Sequence, residues 1–521
     1  MAGTGQTIRT SRPVLSAGIR SFTFHGDAAP ALEAVDLQVV PGTLTAVLGP
    51  SGSGKSTLGR LLADWLPPEG AGTLEGFLEL AGTRLQFRGR EDPRINPAEW
   101  GRHVGFVPQD PAAVLSTVRS TVAEELAFSL ENAAMERPAM KAAVEHSAAL
   151  LKLTELLDRN PAGLSGGQLR RLAIGCAIIS GPEVLIMDEP FASLDSAGAA
   201  DLALLVEDLV RRGTAVVVLS QVVDAPLLAA ETWIVLARGT VTASGPPVEL
   251  LGQGQLPSGI RSSGSGPAAE PGVHQPAKAP DTVPRAPVLE LRGVSFDYRP
   301  ANRTGRRRRA LREATGSDRR GHGVLSGIDL KVRPGEIVAV TGPNAAGKST
   351  LLRHVNGLLR PTAGSVLVHG TDITGAPAGE TARSVGLLFQ QPRDQLFERT
   401  VLREVQFGLD RLFHPGEAAA RALAALSAVG LAAAAPRHPA ELPASGQRLL
   451  ALATVLARKP SVLALDEPTV ALDGDGLALL DAAVRSAAGE GAAVVLVTHD
   501  LDYARATAHR VVTLDGGRLN G

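Results

Sequence analysis

The sequence predicts an α/β chain built from one unit written twice, each copy a mainly parallel sheet wrapped by helices. Three observations predict it. Short Val/Leu/Ile runs at residues 44–48, 184–187 and 215–219 are uninterrupted rather than alternating, the pattern of strands buried on both faces, and helical segments lie between them. A glycine-rich stretch, GPSGSGKST at residues 49–57, returns as GPNAAGKST at residues 342–350. Arg159 and Arg437, Asp195 and Asp473, and Gln221 and His499 each stand 278 residues apart, and one constant spacing marks a duplication.

The 521 residues are enough for two large cores. Hydrophobic residues at 44% and charged residues at 20% exclude a disordered or fibrous chain, and aromatics at 3% leave the core to Leu, Val, Ile and Ala. With 52 Lys and Arg against 53 Asp and Glu there is no basic field to draw the chain to nucleic acid, so none is expected as a partner. A single cysteine, Cys176, excludes an internal disulfide and a Cys-rich zinc site and points to a reducing cytosol. No window approaches the ~18 apolar residues of a membrane span. The alanine-rich run 422–435, which contains Ser427 and Gly430, reads as a soluble helix, and residues 1–13 have no apolar export segment. Work at a membrane therefore requires another chain to provide the membrane.

In the first copy, predicted over residues 14–250, an apolar strand runs into Gly49, Pro50, Ser51, Gly52, Ser53, Gly54, Lys55, Ser56 and Thr57, and then into a helix predicted over 58–66. Glycines let backbone N–H groups turn around a triphosphate, the lysine reaches the β and γ phosphates, the serine can ligate Mg²⁺, and the helix N-terminus adds its dipole. LIMDEP at 185–190 places Asp188 at the end of a buried strand, where it can hold the metal's waters, and Glu189 where it can polarise an attacking water. LSGGQ at 164–168 precedes a helix predicted over 169–179.

Residues 251–286 are rich in Gly, Ser and Pro without apolar periodicity and predict a flexible linker. A chain of that length spans about 30 Å and holds its two ends at about millimolar effective concentration. The second copy, residues 287–521, repeats the loop as Gly342, Pro343, Asn344, Ala345, Ala346, Gly347, Lys348, Ser349 and Thr350, and the acidic pair as Asp466 and Glu467. An arginine-rich insertion at 299–323, about 19 residues longer than the same stretch of the first copy, reads as a solvated charge run, with contact to anionic lipid or nucleic acid as the alternative.

With two phosphate loops, two DEP motifs and LSGGQ, the chain resembles a tandem ATP-binding cassette (ABC) ATPase, two P-loop NTPase domains each with a helical signature subdomain. The resemblance implies ATP and Mg²⁺ as cofactors and a head-to-tail pairing of the two domains, each ATP lying between the phosphate loop of one and the signature of the other. It implies that Ser165, Gly166, Gly167 and Gln168 bind nucleotide, and that Phe24 and Tyr298 stack on adenine. Gln109 and Gln390 match the Q-loop, which joins the metal site, with Ser56, Asp188, Ser349 and Asp466, to the membrane partner. Glu189, Gln221, Glu467 and His499 fall at the catalytic positions.

The segments after the Q-loops, 390–409 and 109–132, resemble the ATPases of energy-coupling factor importers for vitamins and transition-metal ions. The second copy matches well, whereas the first has Ala113-Val114-Leu115 in place of Gln-Leu-Phe. This implies a transmembrane coupling subunit, a substrate-binding membrane subunit and a peripheral place on the cytoplasmic face of the cell membrane. The alternatives are the fused ATPase of a sugar importer or a soluble tandem protein acting on ribosomes. Two departures fall together: at the spacing of 278 the second signature is Leu442-Pro443-Ala444-Ser445-Gly446, and Gln221 stands where a histidine is expected. Pro443 lacks a hydroxyl and an N–H, and Ala444 and Ser445 are expected to restrict dihedrals that glycine permits. A one-residue gap would instead give Pro-Ala-Ser-Gly-Gln. In a head-to-tail pair both departures share one ATP site.

Overall fold

The computed structural model describes residues 12–66, 71–89, 92–192, 194–254, 256–257, 259–262, 286–298 and 323–520. They form two compact units that divide between residues 263 and 264.

The core of the first unit is a six-stranded sheet in the order Thr240–Gly245, Thr232–Ala237, Leu44–Leu48, Ala215–Ser220, Val184–Asp188, Val104–Val107. All neighbours are parallel except the Thr240–Gly245 edge. Leu44–Leu48, Val184–Asp188 and Ala215–Ser220 are buried at every residue, as uninterrupted apolar runs require. A second, antiparallel sheet runs Leu32–Val39, Leu15–Phe24, Gly72–Leu80, Thr83–Arg88. Leu32–Val39 alternates buried and exposed residues along most of its length, because only one of its faces meets the core.

Two apolar clusters sandwich the parallel sheet. On one side Val47, Ile186 and Val217 meet the antiparallel sheet and the helix Lys55–Leu62 through Leu58 and Leu61. On the other, Leu48, Leu185 and Val218 meet Leu126, Ala148 and Leu172 from the helices Val122–Asn132, Arg137–Leu150 and Gly166–Ile178. Strand alternation explains the division: successive side chains of one strand serve opposite faces.

The second unit repeats the plan. Its main sheet runs Val385–Leu388, Val462–Asp466, Ala493–Val497, Ile337–Thr341, Arg510–Asp515, Arg518–Asn520, parallel but for the last strand. Its antiparallel sheet runs Leu325–Val332, Leu289–Phe296, Ala363–Val368, Thr371–Asp372.

Several boundaries differ from the sequence reading. The helix after the first phosphate loop starts at Lys55 and ends at Leu62, where Asp64 takes a left-handed φ of 56°. The run 422–435 is no single helix: Pro415–Ala428 is helical, Gly430 turns at φ 72°, and Ala432–Ala434 is a 3₁₀ turn. The first unit does not end at 250. The helix Pro247–Gly252 runs past it, Leu256 and Ile260 join the core, and Arg261–Ser262 forms a short strand. Two apolar side chains in an otherwise polar stretch anchor the start of the expected linker. Residues 263–285 of that linker lie outside the described residues, and so does the basic insertion apart from Gly323. Among the described residues no helix is long and apolar enough to cross a membrane.

Candidate nucleotide-binding site

Each phosphate loop joins a buried strand to a helix N-terminus. In the first unit the helix is capped by Gly54 at φ 99°, a left-handed conformation that suits glycine, and a Cβ at Gly49 would lie 2.4 Å from the Leu236 carbonyl oxygen. Gly347 and Gly342 repeat both constraints, with φ 99° and an approach of 2.2 Å to the Leu514 carbonyl oxygen. Lys55 Nζ donates to the carbonyls of Gly49 at 2.6 Å and Pro50 at 2.9 Å. Lys348 Nζ does the same to Gly342 at 2.8 Å and Pro343 at 3.0 Å. Both lysines are buried, so a cation is fixed in the cradle by the loop's own carbonyls.

Each acidic pair lies at the carboxyl end of one buried strand, Val184–Asp188 in the first unit and Val462–Asp466 in the second. Ser349 Oγ donates to Asp466 Oδ1 at 3.1 Å, and in the first unit Ser56 lies near enough to Asp188 to favour its ionised form. Asp188 Oδ1 is buried with no hydrogen-bond partner. Burial raises both carboxyls above the usual range, Asp466 to about 6 even though Ser349 donates to it. A carboxylate with a bare buried oxygen beside a serine hydroxyl is an oxygen donor set that fits a hydrated divalent cation. Gln109, half-buried, and Gln390, exposed, follow the strands that pair beside these aspartates.

Glu189 and Glu467 sit at left-handed φ values of 50° and 48°, a strain of about 1–2 kcal/mol each. Arginines missed in the sequence reading hold those turns. Arg170 Nη1 donates to the carbonyls of Glu189, Pro190 and Ala192 at 3.2, 2.5 and 2.7 Å. Arg448 donates to the carbonyls of Glu467 at 3.0 Å and Gln390 at 2.7 Å. Burial lowers both guanidinium pKa values to about 10, which leaves them charged at neutral pH. Their signal in the sequence is the same spacing of 278 residues that relates the other matched positions.

The carboxyl of Glu189 accepts from the Gln221 N–H at 3.0 Å, and burial pushes it up to about 8 against the attraction of Lys55. Glu467 instead has His499 Nδ1 at 2.9 Å and the His499 N–H at 3.3 Å. Gln221 is buried, whereas His499 is half-buried. The two units thus differ in whether an imidazole stands beside the glutamate.

The signature Ser165 caps the helix Gly166–Ile178 with a capping box: its hydroxyl accepts from the Gln168 N–H, and Gln168 Oε1 accepts from the Ser165 N–H. In the second unit the helix Ala444–Leu456 begins at the same place, capped by Pro443 at φ −60° and ψ 162° where Ser165 has −68° and 160°. The ungapped alignment is therefore the structural one, and the Pro-Ala-Ser-Gly-Gln reading is dropped. The expected dihedral penalty is corrected too. Gly166 and Gly167 have no left-handed φ and open space at Cβ, so Ala444 and Ser445 adopt the same helical backbone without strain. What the second signature lacks is the hydroxyl and N–H that Pro443 cannot supply.

Tyr298 is 51% exposed beside the second loop, its hydroxyl 3.3 Å from Thr350 Oγ1 and its ring edge-on to Phe296 at 4.8 Å. Phe24 is half-buried and edge-on to Phe22 at 5.0 Å. After the Q-loops, buried Glu404 accepts from the N–H groups of Phe397 at 2.8 Å and Glu398 at 2.6 Å, and buried Glu125 accepts from the Ser116 N–H at 2.5 Å and hydroxyl at 2.9 Å. Phe397 and Phe407, 64% and 53% exposed, stack edge to face at 4.6 Å. In the first unit Arg119 lies over the Phe128 ring and pairs with Glu131.

A family model described as ABC transporter matches residues 32–192 and 325–470. The chain is 35% identical to a Streptomyces coelicolor protein named as an ABC transporter ATP-binding protein, over 96% of this chain and 92% of that one. Among solved structures it is similar to cbiO1 from Clostridium perfringens, described as part of the ABC transporter complex cbiONQ, at 27% identity over 46% of this chain and 88% of that one, with a TM-score of 0.39. A model of ribosome-bound archaeal Pelota and ABCE1 shares the fold alone, at 20% identity over 96% of this chain and 77% of that one, with a TM-score of 0.64.

Proposed function

Because the chain belongs to the ABC transporter family, with two ATP-hydrolysing cassettes in one polypeptide, we propose that it is the motor of an importer. It would energise uptake of a small solute of the vitamin or transition-metal-ion class through separate membrane subunits, from a peripheral place on the cytoplasmic membrane face. The observation that carries this reading is a relay in the second unit. The exposed Phe397 and Phe407 rings stand on a loop pinned by Glu404, close in sequence to Gln390, whose carbonyl is bound by Arg448, which also binds the Glu467 carbonyl. A membrane subunit seated on the rings would load the backbone that sets the glutamate.

In this reading the loop N–H groups and Lys55 or Lys348 bind and orient the triphosphate, and Tyr298 packs against the base. Ser56 with Asp188, and Ser349 with Asp466, would hold Mg²⁺, with Gln109 and Gln390 nearby. The cation would supply charge neutralisation on the phosphate oxygens. Glu467, held by the His499 N–H and with the imidazole close by, accepts a proton from the attacking water, and Glu189 does so without an imidazole beside it. In the head-to-tail pairing that the family resemblance implies, the site of Lys55, Glu189 and Gln221 would face Pro443, and the site of Lys348, Glu467 and His499 would face Ser165. The first is then the slower.

Purification of the tagged chain from native membranes tests the proposal. Polytopic membrane subunits are expected to accompany it and to be lost on Phe397→Asp with Phe407→Asp. Recovery with ribosomal proteins and no membrane subunit would refute it.

A further inference from the structure

The segment after the strand Ala215–Ser220 is built differently from its counterpart in the second unit. There, Asp500 accepts from the Tyr503 N–H at 3.0 Å and caps the helix Leu501–Thr507. In the first unit Val222 takes the place of that aspartate, and valine has no side-chain acceptor with which to cap a helix. The chain stays extended. Ser220 Oγ donates to the Val222 carbonyl at 2.7 Å and accepts from its N–H at 3.1 Å, and Val222–Val223 forms a short strand.

An extended pair at a sheet end needs a partner for its backbone groups. The partner comes from beyond the first unit's last helix: Arg261–Ser262 pairs parallel with Val222–Val223, Arg261 opposite Val222. The Arg261 N–H donates to the Gln221 carbonyl at 3.1 Å. Ile260, 9% exposed, joins the core that holds Val223, Leu227 and Trp233, and Leu256 packs against the same core. The Arg261 charge attracts half-buried Asp224. Gln221 is thus gripped on both sides, its N–H by the Glu189 carboxyl and its carbonyl by the Arg261 N–H.

We propose that the segment carrying Leu256, Ile260 and Arg261 is a strap that positions Gln221 at the first nucleotide site. Arg261–Ser262 serves as the strand partner that Val222–Val223 lacks. Ile260 and Arg261 are positioning residues that act through Gln221. The proposal rests on the reading of Gln221 as a residue of the first nucleotide site, in the place that His499 holds in the second, but not on transport, because its test involves no membrane subunit.

The test uses the full chain with Ile260→Asp, with Arg261→Pro, which removes the N–H donor but no core side chain, and with Ile260→Leu as the conservative control. Hydrogen exchange is followed at residues 221–223 without nucleotide. Release of a fluorescent ATP analogue with Mg²⁺ is followed in a Lys348→Ala background, so that the first site dominates the signal. Ile260→Asp and Arg261→Pro are expected to speed exchange at 221–223 at least tenfold and analogue release at least threefold. Ile260→Leu should match the parent, and exchange at 497–501 should not change. Unchanged exchange at 221–223 in folded Arg261→Pro would overturn the proposal. So would loss of protection spread equally to Leu44–Leu48, or faster exchange with unchanged analogue release.

Discussion

Replacing one of the two proposed catalytic glutamates at a time separates the two ATP sites. Glu467 has His499 Nδ1 at 2.9 Å and, in the head-to-tail reading, faces the Ser165 signature with its hydroxyl and capping box. Glu189 has neither: Gln221 stands in the histidine's place, and Pro443 supplies no hydroxyl and no N–H. Hydrogen bonds to a charged γ-phosphate contribute about 1.5–3 kcal/mol each, so two lost contacts amount to about 3–6 kcal/mol. If both act in the transition state, the first site turns over roughly 10² to 10⁴ times more slowly. Nearly all steady-state hydrolysis then comes from the second site. Glu467→Gln should reduce ATPase to a few per cent or less, whereas Glu189→Gln should leave more than half. The assay is phosphate release at saturating ATP and Mg²⁺, with bound nucleotide counted after rapid desalting, where the slow site retains ATP. Equal losses from the two substitutions, with equal nucleotide retention at both sites, would refute the reasoning.

The other predictions concern the supports of the site. Arg448→Ala removes donors from the Glu467 and Gln390 carbonyls around a left-handed turn, at about 1.5–3 kcal/mol per charged hydrogen bond; a urea-unfolding free energy for the second unit within about 0.5 kcal/mol of wild type would count against the clamp. Glu404→Ala leaves the N–H groups of Phe397 and Glu398 without their acceptor, so stability should fall by about 2–3 kcal/mol and the membrane subunits should be lost from pull-downs, while Glu404→Gln, which keeps one oxygen acceptor, should retain part of both. Burial pushes the Cys176 thiol up to about 12, which lowers its thiolate fraction at pH 8 by about three orders of magnitude relative to a free cysteine. Iodoacetamide should therefore label the native chain very slowly and the urea-unfolded chain quickly, and labelling of the native chain within minutes would contradict that environment.

The amino-acid sequence by itself determined the duplication, the α/β class and the family. Each of these is written in contiguous patterns whose physical meaning is local. A run such as Leu44–Leu48 is apolar on both faces because it is covered on both faces, and the glycines at 49 and 54 are demanded by a carbonyl oxygen 2.4 Å from a would-be Cβ and by a φ of 99°. The paired aspartates and glutamates were legible for the same reason, as they end buried strands directly. Only the tertiary structure decided how those parts are braced. Whether the second signature carries a gap depends on where its helix starts, and Pro443 keeps nearly the φ and ψ of Ser165 although it shares none of its hydrogen bonds. Arg170 reaches carbonyls 19 to 22 residues away, and Arg448 one 58 residues away, and a carbonyl acceptor leaves no mark in the sequence, because every residue has one. The strap was hidden most completely. Residues 256–262 have the composition of a linker, and they became part of the first unit because Ile260 finds the core and the Arg261 N–H finds the carbonyl of Gln221, forty positions back along the chain.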